Sequence, residues 1–181
     1  MIPAAAPRGV FNHALEAALE TTVARVEAFL GLIDGLAVGW ATVDLERAAL
    51  GLGPGRPTAP LPDDDLLGSR CLSVGSTDGA GGADWANGPI AEDLPIVLLE
   101  PNTEGRLAAS LARHGEGPIA LYLLVPARTI DRFRVVAPAS GVHLSRPASG
   151  PFGRAVLVLD EAAWGPHVIV AEASARGTIA P

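Results

Sequence analysis

A single cysteine, Cys71, among 181 residues excludes an internal disulfide and leaves no second thiolate for a metal site. A reducing compartment follows as the expectation. No uncharged apolar run reaches membrane-spanning length, so no membrane partner is expected. The opening stretch MIPAAAPRGVFNHALEAAL breaks its Ala-rich run with charge and lacks the apolar core of a signal peptide, which points to a cytoplasmic protein. Basic residues are too few to balance the acidic ones. With 13 Lys and Arg against 20 Asp and Glu the net charge is −7, and no basic cluster overrides it, so nucleic acid and anionic surfaces would be repelled. The familiar catalytic signatures are missing too: no GxxxxGK, no GxGxxG between strand and helix, no GxSxG and no CxxC. The acidic run Asp63, Asp64, Asp65 lacks the spacing of a calcium loop and reads as a solvated turn.

What is present describes a turn-rich globular chain. Hydrophobic residues make up 49% and charged residues 18%, with 21 Gly and 16 Pro punctuating recurrent apolar runs. From Leu15 to Leu30 the apolar positions Leu15, Leu19, Val23, Val26, Phe29 and Leu30 recur at helical spacing, predicting an amphipathic helix that ends near Gly31 within an N-terminal extension, residues 1–32. A strand is expected over Leu36 to Thr42, then a short helix capped by Asp44 and stopped at Gly51 or Gly53. Residues 53 to 68 are Pro-rich and acidic, a loop with at most a short edge strand. Strands at Arg70 to Val74 and Pro95 to Glu100 flank a long Gly-rich excursion with Trp85 at its middle, and Thr103 to His114 forms a linking helix. The plan then repeats: strand Ile119 to Val125, helix Thr129 to Val136, and strands Val142 to Ser145, Arg154 to Leu159 and His167 to Glu172.

The run IVLLEPNTEGRLAASLARHGEG, a strand ending in Glu100 and Pro101, then a helix and a GEG turn, resembles the middle of the vicinal oxygen chelate superfamily, which includes glyoxalase I, methylmalonyl-CoA epimerase and bleomycin-resistance proteins. The resemblance implies an α+β fold of two pseudo-repeated βαβββ modules, residues 33–117 and 118–181, forming one cup-shaped mixed sheet behind the added N-terminal helix. It also implies where metal ligands would stand. A His seven residues before the Asp of VDL falls on Ala37, its repeat on Ala120, and the two Glu positions on Val97 and Ile169. All four are apolar, and methyl groups donate nothing to an ion. Glu100 and Glu172 lie three residues later, on the opposite strand face or at the strand ends. An alternative register using His13 is disfavoured, because helical spacing begins at Leu15.

No metal and no other cofactor is therefore expected. Period two places Gly39, Tyr122, Leu99 and His167 on the same face as Ala37, Ala120, Val97 and Ile169, so these eight residues are the expected lining of a ligand cup. Small residues at Ala37, Gly39 and Ala120 would leave room beside Tyr122 and His167; alternatively, small and large side chains interlock there as ordinary core. Trp85 is the lid candidate, and Cys71 reads as an inert core residue. The resemblance favours a metal-free protein of bleomycin-resistance type, binding a small, largely apolar molecule as a homodimer. A cofactorless isomerase or lyase using Tyr122 or His167 as acid or base is the alternative, ahead of a metal-dependent epimerase or glyoxalase.

Overall fold

In a computed structural model, the described residues are 33–52, 57–75, 95–159 and 167–172. The predicted N-terminal helix, His13 and Trp85 lie outside them. The elements follow in the order β1 Gly35–Ala41, α1 Leu45–Gly51, β2 Thr58–Asp64, β3 Ser69–Val74, β4 Ile96–Pro101 and α2 Arg106–His114, then β5 Gly117–Val125, α3 Thr129–Val136, β6 Ala148–Gly150, β7 Gly153–Leu157 and β8 His167–Glu172. A 3-10 turn, Ala137–Ser140, extends α3.

The eight strands form one mixed sheet in the order β2-β3-β4-β1-β5-β8-β7-β6. Each βαβββ run lies on one side of the central antiparallel pair β1 and β5, and each closes with a parallel pair, β1 with β4 and β5 with β8. This is the α+β cup expected from the sequence. Its two edges curl toward each other, and the Asp65 amide beyond β2 donates to the Ser149 carbonyl on β6 at 3.1 Å. Curvature of that degree follows from strand twist and leaves an inner and an outer face.

The inner face is packed with Ala37, Ala41, Cys71, Val97, Leu99, Ala120, Tyr122, Leu124, Ala155, Leu157, Ile169 and Ala171. Alternate residues of the same strands, among them Leu121, Leu123, Val156, Val168 and Val170, form an outer core beneath α3, which contributes Ile130 and Phe133. The strands read as near-continuous apolar runs because both faces are buried.

Local signals account for most elements. Asp44 caps α1 by accepting from the Arg47 amide at 2.9 Å, and α3 and β8 occupy the ranges their periodicity predicts. Two expectations need correcting. The Pro-rich segment holds a full seven-residue edge strand, β2, in which Pro60 and Pro62 are tolerated because one edge needs no donor. The strand expected at Val142 to Ser145 is an extended segment with one bridge, Leu144 to Val158. The hairpin partner of β7 is instead β6, turned through Pro151 and Phe152 between Gly150 and Gly153.

Candidate binding site

The sheet register brings together the residues the sequence assigned to one face. Across β1 and β5, Ala37 stands opposite Tyr122 and Gly39 opposite Ala120; across the parallel pairs, Gly39 meets Val97 and Tyr122 meets Ile169. The approximate twofold relation of the halves thus exchanges Ala37 with Ala120, Val97 with Ile169, and Gly39 with Tyr122. A glycine on one strand faces the space that a tyrosine on the other fills. A Cβ at Gly39 would stand 2.8 Å from the Ala120 Cβ and from Leu99 Cδ1, and 3.0 Å from Tyr122 Cε2. The space beside the small residues is therefore taken up by Tyr122 and Leu99, in interlocked packing.

Ala37, Leu99, Tyr122 and Ile169 are 0% exposed, and Val97 and Ala120 at most 2%. Of the eight expected lining residues, His167 alone is only half-buried. The Tyr122 ring meets Phe152 edge to face with centroids 5.3 Å apart. Leu61, Leu66, Leu111 and Ile119 join Phe152 as half-buried apolar side chains packed on the inner cluster.

The polar centre of the cup is one that sequence reasoning missed. Tyr122 Oη donates to Asp64 Oδ2 at 2.6 Å, and Asp64 is itself fully buried. Its other oxygen accepts from the Leu66 and Leu67 amides at 2.8 and 3.1 Å. These bonds close a turn finished by Gly68 at φ +71°, a conformation that favours glycine. The expectation of a solvated Asp63 to Asp65 turn is thus corrected for its middle residue: Asp63 and Asp65 are exposed, and Asp64 points inward. The cause is a register irregularity between Leu61 and Asp64, where β2 carries one residue more than β3 and its alternation inverts.

Burial dominates the electrostatics of this centre. Desolvation pushes the Asp64 carboxyl above the usual carboxylate range, against the lowering effect of the Tyr122 hydroxyl and the two amides. It pushes the Tyr122 phenol well above its ordinary value, with the Asp64 charge adding to the shift, and the Cys71 thiol up to about 12. Tyr122 is therefore a sealed donor, poorly suited to exchanging protons with a substrate. His167 differs. Its Nδ1 is buried without a hydrogen-bond partner among the described residues, and desolvation, with a smaller contribution from the Arg106 charge, pulls its pKa below the ordinary histidine value.

The donor chemistry that the fold's metal-dependent members would need does not fit here. Ala37, Val97, Ala120 and Ile169 offer hydrocarbon at the four positions, and among the described residues no group of three or more His, Cys, Asp or Glu converges on a point. Glu100 pairs with Arg70 across the sheet. Glu172 accepts from the Ile130 amide at 2.8 Å and lies 3.9 Å from Arg154. Neither carboxylate enters the cup. A separate open cleft of about 420 Å³ on the outer face, against Arg134, Pro138, Val142, His143, Leu144 and Leu159, shares no residue with the inner-face set.

No family model matches the sequence, and no curated protein matches it. Solved structures do match in fold. Methylmalonyl-CoA epimerase from Mycobacterium tuberculosis superposes with a TM-score of 0.61 at 22% identity, over 79% of this chain and 90% of that one. A variant of Streptomyces coelicolor methylmalonyl-CoA epimerase, in complex with 2-nitronate-propionyl-CoA, gives 0.57 at 18%, over 77% and 96%. A hypothetical protein from Bacillus halodurans gives 0.56 at 17%, over 76% and 92%. Together with the paired βαβββ runs and their eight-stranded cup, these similarities show that the chain has the vicinal oxygen chelate fold.

Proposed function

We propose that this protein binds a small, largely apolar molecule without a metal ion, using the rim of the cup rather than its floor. The observation that carries this reading is the buried Tyr122 and Asp64 pair, packed against hydrocarbon at all four expected ligand positions. A sealed, internally satisfied polar pair stabilises a rigid floor and offers no converging donors. The binding surface is then the half-buried set of Ile119, Phe152 and His167, with Ala120 and Tyr122 beneath and the remaining lining residues Ala37, Gly39, Val97, Leu99 and Ile169 forming the base. A homodimeric, cytoplasmic protein is part of this reading, as is a ligand that is neither nucleic acid nor membrane.

His167 supports a second reading, a cofactorless isomerase or lyase. A neutral imidazole at the cup rim, its Nδ1 without a partner among the described residues, is a fit acid or base, whereas the sealed Tyr122 is not. The epimerases of the same fold supply the discriminating experiment. Methylmalonyl-CoA incubated with the protein in D2O should acquire no deuterium at its α-carbon above the rate without protein, while an apolar fluorescent probe should bind saturably. Exchange abolished by His167→Ala would favour the enzyme over the binding protein, and absence of any saturable binding would overturn the binding reading.

A further inference from the structure

We propose that the N-terminal segment Leu15–Leu30 docks as an amphipathic helix on the outer face of the first βαβββ run, taking there the covering role that α3 has on the second. This surface is opposite the cup, so the inference goes beyond the binding reading and does not rest on it. Two rows of apolar side chains cross β1, β4 and β3 on that face. In one, Val38 is paired with Ile96 and Ile96 with Val74; in the other, Trp40 is paired with Leu98 and Leu98 with Leu72. All six alternate with the inner residues Ala37, Val97, Leu99 and Cys71. Leu98 is 0% exposed, Val74 3% and Val38 4%, and Trp40, Leu72 and Ile96 are half-buried.

A sheet face is buried that deeply only under a second layer. On the second run the layer is α3, which sinks Ile130 and Phe133 into the outer core. Its counterpart on the first, α1, is seven residues long and buries none of them. The remaining described helix, α2, packs Leu107 into the inner core instead. The two rows therefore need a cover larger than the described helices supply. The chain before β1 is placed to provide it. Ile33 packs against the outer core, and the Asp34 amide donates to the Leu124 carbonyl at 2.8 Å, so the segment leading into β1 arrives on the outer side. Only Gly31 and Leu32 separate Leu30 from Ile33, a tether of about 7 Å that holds the segment near this face of its own chain. As a helix, Leu15–Leu30 is about 24 Å long, against about 23 Å for the seven-residue β1. Its stripe of Leu15, Leu19, Val23, Val26 and Leu30 matches an apolar face, and Thr21 and Ala28 fall on the opposite side of the helix.

The test uses the full native chain with its Leu and Val methyl groups labelled for NMR. Nuclear Overhauser contacts are expected from the Val23 and Val26 methyls to those of Val38 and Leu98. An isotope-filtered experiment on co-refolded labelled and unlabelled chains reports contacts between copies alone, and there they should be absent. Val23→Asp combined with Val26→Asp should abolish the contacts and increase binding of the dye ANS, which reads exposed apolar surface. Thr21→Asp combined with Ala28→Asp should leave both as in the native chain. Contacts seen only in the filtered experiment would assign the face to a second copy and overturn the proposal. No contact from Val23 or Val26 to Val38 or Leu98 would overturn it as well, as would equal ANS binding by the two double variants.

Discussion

Tyr122 donates its phenolic proton to Asp64 at 2.6 Å, joining the centre of the sheet to its far edge strand. The pair is wholly buried, and among the described residues each partner is the other's only side-chain hydrogen bond. Removing the hydroxyl leaves a carboxylate oxygen without its donor in a dry interior. Tyr122→Phe should therefore lose about 1–3 kcal/mol near neutral pH in urea unfolding.

That loss should depend on pH. Burial raises the Asp64 pKa above its unfolded value, so the stability it contributes is full below the ordinary carboxylate range and declines as pH rises through the elevated folded value. The Tyr122 bond opposes this rise. The Tyr122→Phe penalty should thus be smaller in acid than at pH 8, and Asp64→Asn, which retains acceptors for both amides, should flatten the difference.

His167 titrates with the opposite sign. Its folded pKa is depressed, so its contribution is present above the unfolded value of about 6.5 and is lost as pH falls through the lower folded value. Comparing Tm between pH 8 and pH 5 for the native chain and His167→Gln should show the smaller acid loss in the variant.

Gly39 is required by contact. A methyl group there meets Ala120 and Leu99 at 2.8 Å, and the Ala120 Cβ is fixed to a central strand. Gly39→Ala should cost about 1–3 kcal/mol, the usual penalty of overpacking, measurable by chemical denaturation.

Cys71 sits on the inner face with its thiol pushed up to about 12. Only the thiolate attacks alkylating reagents. Iodoacetamide at pH 8 should leave the folded protein unmodified and label it quantitatively in denaturant.

Most of the sheet was legible because its strands are long enough for period two to assign faces. Ala37, Val97, Ala120 and Ile169 share a face as the alternation predicts, and the Asp44 cap and the helix at Thr129–Val136 follow from local signals. Asp64 was not legible, since counting from Leu61 turns Asp63 inward and only the register irregularity reverses it. The DxLLG spacing, an acidic residue four before a glycine, was the available clue to a closed turn. Ala148–Gly150 was missed for another reason: three small residues carry no alternation, and Gly-Pro-Phe-Gly was the stronger sign of a hairpin.

The most direct test is elemental analysis of the protein purified without chelators, then dialysed against manganese, cobalt, nickel or zinc. With hydrocarbon at Ala37, Val97, Ala120 and Ile169, well below one ion per chain and an unchanged Tm are predicted. One tightly held ion per chain, released when Asp64 is replaced by Asn, would contradict the account.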